Sequence, residues 1–211
     1  MTAISITEET FASNFGVPRE TIDRLKVYVE LLKKWNPKIN LVAKSTMDNV
    51  WHRHIADSAQ LWALAPSGAK SWVDIGSGAG FPGLVIAAIA AEKAPELTVT
   101  LVESDRRKAI FLQTVTRAMN VSVQVVTKRI ESLEPQNADI LSARALASLS
   151  QLLEYADKHR KPSGICLFPK GARAELELTE AATCWHISHT TNASVTDPDA
   201  VILSIGEFQR A

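Results

Sequence analysis

Apolar residues recur along the first part of the chain at the spacing of one helix face. Ile22, Leu25, Val29 and Leu32 fall three or four residues apart, with Arg24, Lys26, Lys33 and Lys34 between them. That pattern predicts an amphipathic helix with a single buried stripe. Ser5 and Glu8 have capping-box spacing for a helix before it, and Pro18 suits a first helical turn. Pro37 is expected to end the long helix, because proline disfavours helical geometry in the residue before it. A second helix is predicted over roughly Thr46 to Ala65, with Trp51, Ile55, Ser58 and Leu61 on one side. The loop "PSGAK", Pro66–Lys70, follows. It divides a helical N-terminal extension, residues 1–66, from the rest of the chain, residues 67–211.

Beyond Lys70 the pattern shifts to short β-rich runs: "SWVDI", "LTVTLVE", "VSVQVVT", "ADILSA" and "GICLFP". Helical segments are predicted between them at Pro82–Ala91, Arg106–Met119, near Glu131 and over Leu146–His159. Strands that alternate with helices imply an α/β fold whose parallel sheet is covered on both faces. The last two runs, "WHISHTTNA" and "AVILSI", have no clear helix between them and are expected to form a closing antiparallel pair.

Composition narrows this picture. Of 211 residues, 46% are apolar, enough for one sizeable core and too many for a disordered chain. Lys plus Arg and Asp plus Glu number 23 each, so nucleic-acid binding has to rest on a local patch. Cys166 and Cys184 are the only cysteines. Neither is in a CxxC pattern, which points to a reducing compartment and no zinc. The start "MTAISITEETF" lacks the features of a signal peptide, and no apolar run reaches the length of a membrane span. A cytoplasmic monomer is expected.

The stretch "WVDIGSGAGFPG", Trp72–Gly83, concentrates glycines behind the first strand and ahead of a helix. In an open α/β sheet this is where ligands bind, and a helix N-terminus offers free N–H groups there. Two registers compete. Gly78, Gly80 and Gly83 satisfy GxGxxG; Gly76, Gly78 and Gly80 give GxGxG, starting where the strand stops. The second is preferred. Asp74, just ahead of it, suits a positively charged ligand better than a pyrophosphate. Glu103 ends the second strand at the spacing from which an acid accepts hydrogen bonds from a ribose diol. Nicotinamide and adenosyl ligands share that diol, so Glu103 does not choose between them.

These residues resemble an S-adenosylmethionine-dependent methyltransferase, and more closely the GidB family. That family methylates N7 of a guanine in bacterial small-subunit ribosomal RNA. "KWNPKINLVA" (Lys34–Ala43), "RHIADS" (Arg53–Ser58), "VDIGSGAGFPGL", "KRIESL" (Lys128–Leu133) and "SARALASL" (Ser142–Leu149) follow in the family's order. The resemblance implies a Rossmann-like class I methyltransferase with a seven-stranded, mostly parallel sheet. It implies S-adenosylmethionine as cofactor and small-subunit ribosomal RNA, or the small ribosomal subunit, as partner. By it, Gly76 and Phe81 contact the cofactor, Glu103 holds its ribose, and Ile130 and Glu131 lie beside the adenine. Arg144 stands where cofactor and target base meet. In this chain "FPKG" departs from the family's Leu-Lys-Gly after the fifth strand, leaving the role of Lys170 open.

The residues agree with that chemistry on independent grounds. "SARA" lacks the polar acceptors that methylation of an exocyclic amine requires, and neither cysteine looks activated for attack on a pyrimidine. Guanine N7 has a lone pair and no proton to lose, so it needs no general base. Arg144 could bind guanine O6 or a phosphate, or instead pair with an acid such as Glu131 or Asp139 or with the cofactor's carboxylate. Candidate RNA grips are Lys33, Lys34, Lys38, Lys44 and Arg53, with a second cluster at Arg106, Arg107 and Lys108. Trp35, Trp51 and Trp62 read as core. Two rivals stay open: a nicotinamide-dependent oxidoreductase, and a non-catalytic RNA- or ribosome-binding protein that keeps the fold.

Overall fold

The computed structural model describes residues 5–211. Residues 1–4, where the stretch read for a leader begins, lie outside the described residues. The first helix, α1, spans Glu8–Phe15. Its N-cap is Thr7 and not Ser5: the Thr7 N–H donates to Thr10 Oγ1 at 3.0 Å. The long helix α2 spans Arg19–Ile39 and buries the predicted stripe of Ile22, Leu25, Val29 and Leu32.

Pro37 does not end α2; the helix runs two residues further. Proline removes only one donor in a turn that is already closing. Asn40 then takes left-handed geometry, and buried Asn36 accepts at Oδ1 from the Leu41 and Val42 N–H groups at 2.8 and 2.9 Å. The predicted second helix is broken into pieces. A 3-10 turn at Lys44–Thr46 comes first. A π turn over Trp51–Ala56 then leads into α3, Asp57–Ala59, and a 3-10 turn over Gln60–Leu64.

Seven strands follow: β1 Ser71–Ile75, β2 Thr98–Val102, β3 Val123–Val126, β4 Ala138–Ser142, β5 Arg160–Lys170, β6 Trp185–Ala193 and β7 Val201–Arg210. The order across the sheet is β3-β2-β1-β4-β5-β7-β6. All neighbours are parallel except β7, which inserts antiparallel between β5 and β6. The closing antiparallel pair is therefore present, with β7 as its inner strand. β5 starts four residues before the predicted run. Pro162 and Ser163 mask it in the sequence, and its pairing with β4 shifts register there. The helices between strands are α4 Gly83–Lys93, α5 Arg106–Met119, α6 Leu149–His159 and α7 Ala174–Ala181. Cys184 lies past the end of α7 and is exposed; Cys166 is buried in β5.

Strand residues alternate between two cores, as the pleat requires. Trp72, Leu101 and Ile140 face the layer of α2, α4 and α5. Val73, Ile75 and Leu141 face the layer of α6 and α7. Helix α4 is buried from Gly83 to Ala90 on every side. A helix apolar all round must be covered on both sides, and the extension covers the side away from the sheet. The loop at residues 66–70 separates extension from sheet along the chain, yet one core, including Leu25, Tyr28, Ile55, Leu84 and Phe111, crosses that boundary. Among the described residues no helix is long and apolar enough to cross a membrane.

Asn36→Ala strips the acceptor from two backbone donors at the end of α2. Its expected effect is a loss of about 1–3 kcal/mol in unfolding free energy, read from the urea midpoint.

Candidate functional site

The strand order reverses between β1 and β4, so the loops that leave these two strands flank the crevice at the switch point. The loop after β1 contains Gly76, Gly78 and Gly80, all with positive φ (64°, 55° and 101°). Gly83 is not of this kind. A Cβ there would strike Leu101 and Asp74, so Gly83 serves close packing of α4 on the sheet. The three left-handed glycines follow the GxGxG spacing. Tyr28 of α2 donates its hydroxyl to the Ala79 carbonyl at 2.6 Å, which ties the extension to the loop.

Asp74 does not face the crevice. It is fully buried under the loop. Its carboxylate accepts from Ser142 Oγ at 2.8 Å and from the Gly83 N–H at 3.3 Å. Trp72 Nε1 donates to Ser142 Oγ in turn, at 2.9 Å. Burial pushes the Asp74 carboxyl up from 3.8 to about 6, against the opposing pull of its hydrogen bonds. Asp74 is not among the residues of the cavity wall; it braces the ends of β1 and β4 and the start of α4.

A cavity of about 740 Å³ opens above the crevice, a size that suits a nucleoside-sized ligand. Gly76, Gly78, Phe81, Glu103 and Arg144 all line it. Glu103 follows β2 and is buried. Its Oε2 accepts from the Gly78 N–H at 2.8 Å, and its Oε1 from the Asp105 N–H at 2.7 Å. It therefore also shapes the glycine loop, a role not read from the sequence. Ile130 and Glu131 stand apart. They lie on a 3-10 turn beyond β3 and are not among the residues of the cavity wall. Ile130 is buried, and the Glu131 carboxylate accepts from the Tyr155 hydroxyl at 2.8 Å.

Residues 143–148 form a loop, and α6 starts only after the Ser148 N-cap, three residues later than the expected start at Leu146. Ala145 has a positive φ of 54°, which helix cannot accommodate. Arg144 in this loop meets neither Glu131 nor Asp139. Its Nη1 donates to Asp57 Oδ2 at 3.0 Å, and its Nη2 to His54 Nδ1 at 2.9 Å. Phe81 stacks on His54, with centroids 5.0 Å apart, and the Arg144 guanidinium lies 5.0 Å from the same ring. Burial, reinforced by the charges of Arg144 and Arg53, pushes His54 down to about 3, so its ring is neutral. Since Nδ1 accepts, Nε2 carries the proton and donates to Thr46 Oγ1 at 2.7 Å.

Lys170 acquires a place as well. It donates to Glu177 Oε2 at 2.7 Å and to the Ala147 carbonyl at 3.3 Å. Leu149 N–H donates to the same Glu177 oxygen, so the end of β5 holds the far side of the Arg144 loop. Of the basic candidates, only Arg53 and Lys108 line the cavity, and Arg53 is paired with Asp197. Lys33 pairs with Glu30 on the outer face of α2.

The comparisons with known proteins agree with this geometry. A family model described as GidB, rRNA small subunit methyltransferase G, matches residues 21–202. The chain belongs to this family. The GidB relatives include ribosomal RNA small subunit methyltransferase G of Ruegeria pomeroyi, 50% identical over 92% of this chain and 95% of the relative. The protein of that name from Rhodospirillum centenum is 52% identical over 94% and 89%. Among solved structures, an O-methyltransferase from Bacillus cereus in complex with SAH covers 95% of this chain and 100% of its own, with TM-score 0.57 and 14% identity. A putative O-methyltransferase from Klebsiella pneumoniae covers 95% and 96%, with TM-score 0.60 and 14% identity. These two share the class I methyltransferase fold of the GidB chain.

Asp74 holds its proton more tightly in the folded chain than in the unfolded one. Stability is therefore expected to fall as pH rises from about 4 through about 6, by about 3 kcal/mol at roughly 1.4 kcal/mol per pH unit. Asp74→Asn should flatten that part of the profile. Urea unfolding at intervals across the window checks both.

Proposed function

We propose that this chain transfers a methyl group from S-adenosylmethionine to N7 of a guanine in small-subunit ribosomal RNA. One observation carries the reading. The switch-point cavity has a glycine loop and Glu103 on one side and Arg144 on the other, and among the described residues no unengaged carboxylate or histidine lines it. Its carboxylates and histidine are already engaged: Asp57 with Arg144, Glu177 with Lys170, Asp197 with Arg53, His54 with Arg144 and Thr46. Burial pushes the Cys166 thiol up to about 12, which removes it as a nucleophile. N7 of guanine needs neither base nor nucleophile, only alignment and exclusion of water.

The residues present fit the cofactor. Gly76 and Gly78 bring bare backbone to the cavity edge, and Glu103 lies beside them as a ribose acceptor. When bound, S-adenosylmethionine supplies an electrophilic methyl carbon on a sulfonium centre. Gly76 and Gly78 would hold it along the loop, and Phe81 would close one wall. Ile130 and Glu131 would meet the adenine through backbone, since the Glu131 side chain is engaged by Tyr155. Arg144 would orient the target base by an oxygen in its plane or by the adjoining phosphate. The nicotinamide reading loses its support because the chain matches a methyltransferase family over residues 21–202, whereas the packing role of Gly83 would suit either glycine register. The RNA is gripped first where Lys108 reaches the cavity.

Titration with S-adenosylmethionine, followed by identification of the methylated base in small-subunit RNA, tests the reading. Methyl found on any atom but guanine N7 overturns it. Glu103→Gln replaces a charged acceptor and should weaken binding of S-adenosylmethionine and S-adenosylhomocysteine alike, about ten- to a hundredfold.

Lys108→Ala should raise the KM for RNA and reduce the log–log salt slope by about 0.7–0.9, the share of one phosphate that the lysine no longer neutralises. Lys33→Ala with Lys34→Ala is expected to have the smaller effect. Steady-state methyl transfer across a salt series separates the two.

A further inference from the structure

We propose that Asp57, on the helical extension, is a positioning residue for methyl transfer. With His54 it holds one edge of the Arg144 guanidinium so that the other edge is presented to the target base. The inference rests on the function proposed above and names how the site depends on the extension.

The argument is one of donor count. Arginine has five N–H donors in a rigid plane. Nη1 donates to Asp57 Oδ2 at 3.0 Å and to the Arg53 carbonyl at 3.4 Å, and Nη2 spends one hydrogen on His54 Nδ1 at 2.9 Å. The remaining Nη2 hydrogen and Nε–H have no partner among the described residues. They form one side-on edge, the geometry that grips a phosphate or a base oxygen with two parallel hydrogen bonds. Arg144 lies in the cavity wall. The Arg144 and Asp57 side chains are only 20% and 18% exposed, so the pair is poorly screened and the guanidinium has little freedom to turn.

Asp57 is itself held. Its Oδ1 accepts from Thr196 Oγ1 at 2.9 Å and from Gln60 Nε2 at 3.1 Å. His54 is locked as an acceptor toward Arg144 by its bond to Thr46 and by its stack on Phe81. The arginine is thus fixed by residues about 90 positions earlier in the chain, on the π turn and the start of α3, which no strand–helix unit of the sheet supplies.

The test is a double-mutant cycle on the full chain, read by single-turnover methyl transfer at saturating S-adenosylmethionine. Asp57→Asn keeps size and shape but removes the charge. It should slow transfer about tenfold or more at saturating RNA, with KM for RNA and cofactor affinity within about twofold of wild type. In an Arg144→Ala background the same change should slow transfer less than about twofold, because the group it positions is gone. Equal slowing in both backgrounds, or no slowing in the first, overturns the proposal. Asp57→Glu carries the same cycle if the Asn variant does not fold, and it should retain more of the rate than Asp57→Asn. An Arg144→Ala protein as fast as wild type removes Arg144 from the site. That result comes from the single variant, so failure of the functional reading is told apart from failure of this one.

Discussion

The site depends on a carboxylate that never meets it. Asp74 is buried at the end of β1, bonded across to Ser142 at the end of β4 and forward to the N–H of Gly83 at the start of α4. Those three points define the switch point of the sheet. A buried acid of this kind is a liability, because desolvation disfavours its charged form. Its retention makes sense as geometry: it sets the separation of the two strand ends from which the glycine loop and the Arg144 loop depart. Trp72, fully buried, extends the brace by donating to the same serine. With both strand ends tied, the loops above them inherit a fixed frame, which catalysis by alignment demands.

The second frame comes from outside the sheet. Gln60, Asp57, Arg53 and His52 all reach the β6–β7 turn, at Ser194, Thr196, Asp197 and the Thr196 carbonyl. Tyr28 reaches the glycine loop. The extension therefore grips the two ends of the sheet's crevice while its apolar face covers α4. These polar bonds would be weak singly at an exposed surface. Apart from the exposed Arg53–Asp197 pair, they gain from being partly buried and from sharing residues, so that breaking one leaves another group without its partner.

Much of this was legible in the sequence because it is written in local rules. The stripe Ile22, Leu25, Val29 and Leu32 is a helix period, and the alternation of β-runs with helices gives a parallel sheet. The choice of Gly76, Gly78 and Gly80 over Gly83 follows from where the strand ends, and the backbone angles agree. What could not be read is long-range. Asp57 and Arg144 are 87 residues apart, and nothing in the spacing of either announces the other, so Glu131 and Asp139 were the natural partners to name. The bracing role of Asp74 was hidden for a related reason. An acid before a glycine loop looks the same in sequence whether it points up at a ligand or down into the sheet, and the pleat alone does not say which loop will cover it. Leu146–Ser148 looked helical because nothing in an Ala- and Leu-rich run signals the left-handed turn at Ala145. Lys170 and Glu177, from the next strand and helix, hold the chain just after that turn, at Ala147 and Leu149.

That turn bears on the chemistry. A non-glycine residue at positive φ is strained by roughly 1–2 kcal/mol, and such strain persists only where surrounding contacts over-determine the backbone. Here they do so on both sides. Arg144, one residue before, is bonded to the extension; Ala147, two residues after, is bonded to Lys170. The loop is stretched between two independent anchors, and turning the Arg144 side chain away would break its bonds to both Asp57 and His54. A site that performs no proton transfer has little to gain from a mobile acid or base. It gains from a cation that does not move, since an error of about 1 Å in approach can lower the rate on the order of a hundredfold. The strain at Ala145 and the half-buried charge at Asp57 are two parts of one requirement: holding a guanidinium still at the edge of a cavity open to RNA.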